Sequence, residues 1–190
     1  MTSNNARDLV QWLHDYLVTN RDTVPVEVTS AALGWLGDRA FLLPGAMLTS
    51  GGDVAPVTFA PSDAGSKQHA GAFVQFGTLD GWRAAIAPVE RYERVQLAVY
   101  ASFAAPLLDV LNCPTFIVDF AGPTSGGKTS TLRIAGSVWG QSDPAQHPTI
   151  TSTFQSTRVY RERMAALANG LPLLFDETTQ AAKAGDVQSF

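Results

Sequence analysis

The chain has 190 residues, 45% of them apolar and 16% charged, which excludes an intrinsically disordered chain and leaves length for one large or two small domains with a proper core. Its 13 Lys and Arg against 17 Asp and Glu give a formal charge of -4, and the pI near 5.2 excludes a wholly basic nucleic-acid wrapper, although one local basic groove would still serve DNA. Cys113 is the only cysteine, so an internal disulfide and a multi-cysteine metal site are excluded and a reducing, cytoplasmic setting is expected.

The chain opens on a polar stretch, residues 1–8, without the basic-then-apolar order of a signal peptide. Residues 6–19 then place Leu9, Trp12, Leu13, Tyr16 and Leu17 on one stripe at helical spacing, which predicts an amphipathic helix. From Val24 to about Phe76 short apolar runs are divided by Gly, Pro and Asp. Residues 26–28, 33–36 and 39–43 read as strands, with Gly37-Asp38 as a hairpin turn. Residues 50–71 read as a loop-rich stretch around one further strand, 57–59. Residues 1–77 are therefore expected to form a small α+β region.

Helical composition returns at Leu79, over 79–87 and 89–111, until Asn112 and Pro114 stop it. The longest apolar run, 97–108, is interrupted by Pro106 and falls short of the roughly 20 residues a bilayer span needs. A soluble protein with no membrane partner is expected. Residues 115–121 form a β-rich run, followed at once by Gly122, Pro123, Thr124, Ser125, Gly126, Gly127, Lys128 and Thr129. These eight match G-x-x-x-x-G-K-[ST], and Ser130 to Trp139 continues as a helix, so the pattern sits between a strand and a helix as a phosphate-binding loop requires.

Each residue type in that loop has a chemical reason. Glycines let successive amides curl into one concavity that holds phosphate oxygens, and the helix N-terminus adds partial positive charge there. Lys128 can reach the β- and γ-phosphates, the Thr129 hydroxyl can coordinate Mg²⁺, and Ser130 closes the nucleotide-binding set. Residues 171–175 form a second apolar run, ending in Asp176 and Glu177. Asp176 suits the Mg²⁺ shell, and Glu177 suits orienting and deprotonating an attacking water. An acidic pair capping the next helix is the plainer alternative. The paired acids favour hydrolysis over a phosphotransferase, which must keep water from the γ-phosphate.

Between these elements, Tyr160, Met164 and Leu167 share a helical face, and Arg158, Arg161, Glu162 and Arg163 are read as lying largely away from it. One arginine could contact DNA or reach a neighbouring subunit's nucleotide, but a solvated helix face is the simpler reading. The run 149–154 looks like a strand, or the approach to one, whose hydroxyls could sit near the γ-phosphate. His14, His69 and His147 have no metal-ligand spacing and are expected at the surface or in the core. Trp12, Trp35, Trp82 and Trp139 are expected in the core.

On these residues the chain resembles a family of phage- and plasmid-associated bacterial P-loop ATPases, a domain of unknown function similar to superfamily-three helicases of AAA+-like type. The likeness rests on residues 39–45, on 122–135 with Val138-Trp139-Gly140, and on 171–177. It implies ATP and Mg²⁺ as cofactors, a link to DNA replication or mobile elements, DNA as a partner, and a homo-oligomeric ring when full length. A complete ring ATPase would carry further strands with a polar sensor and an arginine finger, whereas only residues 178–190 follow Glu177. The expected fold class is therefore α/β: a helical lead-in and a P-loop NTPase core over 78–190, incomplete at its C-terminal end, preceded by the small α+β region. The leading expectation is an ATP-hydrolysing helicase-like module, with Lys128 and Glu177 as the catalytic pair. The alternative is a non-enzymatic assembly or DNA-binding module with a nucleotide-responsive switch.

Overall fold

The structure, a computed structural model, describes residues 3–123 and 126–176. The helix expected near the N-terminus is α1 (Ser3–Thr19), closed by Asn20, whose backbone and side-chain amides both donate to the Tyr16 carbonyl. Its apolar stripe is not buried. Leu9, Trp12, Leu13, Tyr16 and Leu17 are all exposed, and Trp12 stacks on Tyr16 with ring centroids 5.6 Å apart. Trp12 is thus not a core residue as expected: a helix closes its own hydrogen bonds, and no described element covers this stripe.

The next strands fall close to their expected places. β1 (Val28–Ser30) pairs in parallel with β5 (Val57–Phe59). Val26, expected in the first strand, lies outside it and is exposed. β2 (Leu33–Leu36) and β3 (Ala40–Leu43) form an antiparallel hairpin with Trp35 opposite Phe41. Gly37, at φ 63°, supplies the left-handed conformation in its turn. The sequence reading did not identify β4 (Ala46–Thr49), which continues the meander through the Gly45 turn. β7 (Ala168–Asn169) joins the other edge in parallel, giving the order β4-β3-β2-β7.

Within the stretch expected as loop, α2 (Ala64–Ala70) forms because Asp63 caps it. The Asp63 carboxylate accepts from the Ser66 amide at 2.9 Å, and that hydrogen bond is the main cause holding its pKa below the usual carboxylate value. α3 (Leu79–Ile86) starts on the Thr78 hydroxyl, which accepts from the Gly81 amide. α4 (Glu93–Val110) begins four residues later than the expected Val89 and ends where Asn112 turns left-handed at φ 51°. α5 (Lys128–Gly136), β6 (Thr151–Thr153), α6 (Arg158–Leu167) and β8 (Leu174–Asp176) complete the described elements. β6 and β8 run parallel, with Thr151 beside Leu174 and Thr153 beside Asp176.

One apolar cluster joins these pieces. It includes Leu33, Phe41, Ala70, Phe73, Ile150, Met164, Leu167 and Leu174, with Trp35 and Trp139 packed against it. The architecture is mixed α/β, with small sheets and helices.

Two tryptophans attach to a proline inside α4. Pro106 has no amide hydrogen, so the Ser102 carbonyl one turn earlier loses its helical donor. The Trp139 indole N–H donates to that carbonyl at 3.1 Å, and the Trp35 indole N–H donates to the Pro106 carbonyl at 2.8 Å. The Ser102 hydroxyl, itself buried, donates to the Ala135 carbonyl of α5 at 2.8 Å. The proline inside α4 is therefore the place where the helix grips both the meander and α5.

Two further expectations are corrected. Residues 115–121 were expected as a strand but carry no strand assignment, and Phe116 and Ile117 are exposed. β-rich composition makes a strand only where a partner supplies the ladder, and among the described residues none pairs with this run. Arg161, expected on the polar side of its helix, is 5% exposed. Its guanidinium donates to the carbonyls of Phe154 and Ser156 at 2.9 and 3.1 Å and lies over the Phe154 ring. It fastens the turn between β6 and α6 and is not available to solvent. Arg158 and Arg163 remain outside, bonded to Glu162 and Asp63 respectively.

Candidate functional site

The site forms where α5 begins. Gly127 has φ 78° and serves as the helix N-cap, a left-handed conformation in which a side chain would be strained. Gly122, Pro123, Gly126, Gly127, Thr129 and Ser130 are exposed and Lys128 is half-buried, so the loop and the first helical turn face outward. Lys128 folds back over the loop, its Nζ donating to the carbonyls of Gly122 and Pro123 at 2.9 and 2.8 Å. The ammonium thus folds across the turn that precedes α5. Thr124, Ser125 and Glu177 lie outside the described residues.

α5 is held against the β6–β8 sheet by the absence of a side chain at Gly136. A Cβ there would lie 2.5 Å from Ser142 Cβ and 2.9 Å from Leu174 Cδ1, too close for any real contact. Buried Thr131 and Ala135 continue the same packed face, and the Ser142 hydroxyl donates to the Arg133 carbonyl at 2.6 Å. Alternation along β8 puts Leu174 and Asp176 on one side of the strand. Leu174 therefore meets the end of α5 while Asp176 meets its beginning.

The consequence is the contact that defines the site. The Thr129 hydroxyl lies 3.3 Å from Asp176 Oδ1, between residues far apart in the chain. The parallel register sets Thr153 beside Asp176, so the hydroxyl-rich β6 ends next to the same carboxylate. A hydroxyl and a carboxylate are hard oxygen donors. Mg²⁺ typically takes one or two protein oxygens and fills its octahedron with phosphate and water oxygens, so this pair fits that ion. Among the described residues no group of three or more His, Cys, Asp and Glu could hold a metal ion by itself.

The histidines sort differently from expectation in one respect. His69 is buried against the edge of Phe73, and burial pushes its pKa down to about 4. His69 and His147, far apart in sequence, line one pocket together, a meeting that no spacing pattern announced. Trp35, Trp82 and Trp139 are half-buried. The Trp82 indole donates to the Ser137 hydroxyl at 2.9 Å, just past the end of α5.

Among the described residues no helix is long and apolar enough to cross a membrane. No curated protein matches the chain. The family model described as "Domain of unknown function (DUF927)" matches residues 1–188. With nearly its whole length covered, the chain belongs to that uncharacterised domain family.

Proposed function

We propose that the chain binds Mg²⁺-ATP through residues 122–130 and Asp176 and hydrolyses it, as a helicase-like module linked to DNA replication or mobile elements. The observation that carries this reading is the 3.3 Å approach of Thr129 to Asp176. The loop motif alone would be a Gly-rich turn, but here its hydroxyl meets the acidic end of a separate strand, as shared metal coordination requires. The P-loop amides and Lys128 bind and orient the triphosphate. Thr129 and Asp176 hold the metal, which when bound neutralises charge on the phosphate oxygens. Glu177, next in sequence after Asp176, accepts a proton from the attacking water. DNA as partner and a homo-oligomeric ring follow from the resemblance to superfamily-three helicases and belong to the same proposal.

A phosphate-release assay on the chain and on Glu177→Gln tests the catalytic half. Release by the parent chain, abolished in the variant while ATP binding persists, is the expected result. Binding without release in the parent chain would make it a nucleotide-responsive switch and not an enzyme.

A further inference from the structure

We propose that Thr153 is a positioning residue of the Thr129–Asp176 site, its hydroxyl accepting a hydrogen bond from a water of the Mg²⁺ shell beside Asp176. This rests on the reading of residues 122–130 and Asp176 as a Mg²⁺-ATP site. It gives the hydroxyl-rich run 149–154 a task that the loop and the acidic strand leave open.

Sheet geometry carries the placement. β6 and β8 are parallel, with Thr151 beside Leu174 and Thr153 beside Asp176. Residues paired across such a ladder lie about 4.8 Å apart on one face, and successive residues alternate faces. Thr151 and Thr153 therefore share a face with Leu174 and Asp176, while Ser152 takes the opposite one. Contacts from both strands identify the shared face as the one under α5. On β8, Leu174 meets Gly136 late in the helix, and Asp176 meets the Thr129 hydroxyl at its start. On β6, the Thr151 hydroxyl donates at 2.9 Å to the carbonyl of Ser142, whose side chain also packs on Gly136. Thr153, two residues on and half-buried, thus comes to the same end of the sheet as Asp176, toward the beginning of α5.

The residue type suits the task. Mg²⁺ takes few protein oxygens and keeps several waters, each of which is a hydrogen-bond donor needing an acceptor. A hydroxyl accepts from such a water and still has its own proton to give to a phosphate oxygen. Being neutral, it does so without adding another negative charge beside a triphosphate. Threonine also meets the local demand of the strand, where a branched Cβ packs well.

The experiment is titration of a fluorescent ATP analogue, in magnesium and in EDTA, into the parent chain, Thr153→Val, Thr153→Ser and Ser152→Ala. Valine keeps the shape and the branch and removes only the hydroxyl, serine restores the hydroxyl, and Ser152→Ala removes a hydroxyl from the opposite face. The proposal expects Thr153→Val to weaken binding about tenfold in magnesium, the lower end for a partner of metal-bound groups, and to change it little in EDTA. Thr153→Ser recovers the parent affinity, and Ser152→Ala keeps it. Parent-like binding by Thr153→Val in magnesium, an equal loss in EDTA, no recovery with serine, or a matching loss in Ser152→Ala would overturn it. Magnesium-dependent binding shared by the parent and Thr153→Val removes this proposal alone. No binding by the parent removes the Mg²⁺-ATP reading and this proposal with it.

Discussion

The Thr129 hydroxyl stands 3.3 Å from the Asp176 carboxylate because Gly136, two turns further along α5, lets the helix lie directly on Leu174. Any side chain at 136 would lift the helix and part the two oxygens. The Thr129–Asp176 contact therefore depends on a residue that carries no functional group.

If Asp176 holds Mg²⁺, Asp176→Asn should weaken ATP binding only when magnesium is present. The expected loss is at least tenfold in magnesium, about 1.4 kcal/mol, and little in EDTA. Titration of a fluorescent ATP analogue under the two conditions measures this. Equal loss in both would assign Asp176 a purely structural role.

The Pro106 arrangement makes a prediction about stability. Trp139→Phe keeps most of the ring but leaves the Ser102 carbonyl without its donor, at a cost of about 1–3 kcal/mol. In a Pro106→Ala background the new amide at 106 can donate to that carbonyl, and the same substitution should cost markedly less. Urea midpoints for the four chains form a double-mutant cycle. Additive effects would show that Pro106 and Trp139 are not coupled through Ser102.

His69 predicts an acid sensitivity. Its folded pKa of about 4 lies below the ordinary 6.5, so between those values the unfolded chain holds a proton that the folded chain does not. Stability from this residue is complete above pH 6.5 and is lost as pH falls toward 4. The full loss is of order 3 kcal/mol. His69→Leu should flatten the dependence of the thermal midpoint on pH across that window. Identical slopes in parent and variant would place the histidine in water.

Much of the site was readable because its chemistry demands residue types at fixed spacing. Gly122 to Thr129 and the run ending at Asp176 are visible in the sequence itself, and folding adds the meeting of Thr129 with Asp176. What escaped depends on tertiary partners. Residues 115–121 have strand composition, yet no described strand lies beside them. Arg161 sits one helical turn from buried Met164 and shares its face, which the spacing did allow, but a charged side chain reads as exposed until carbonyls are found for it. Trp12 shows the converse, an apolar stripe formed by local sequence whose cover is not among the described elements. α2 was hidden by its Gly and Ser content, although Asp63 three residues before Ser66 is a capping signal.

Calorimetric titration of Mg²⁺-ATP into the chain and into Lys128→Ala tests the central claim most directly. The account predicts saturable binding by the parent chain and at least a tenfold loss in the variant, because Lys128 Nζ already lies over the loop, held by the Gly122 and Pro123 carbonyls, and would exchange them for phosphate oxygens. Equal binding by both chains, or no binding by the parent, would contradict a nucleotide site at residues 122–130.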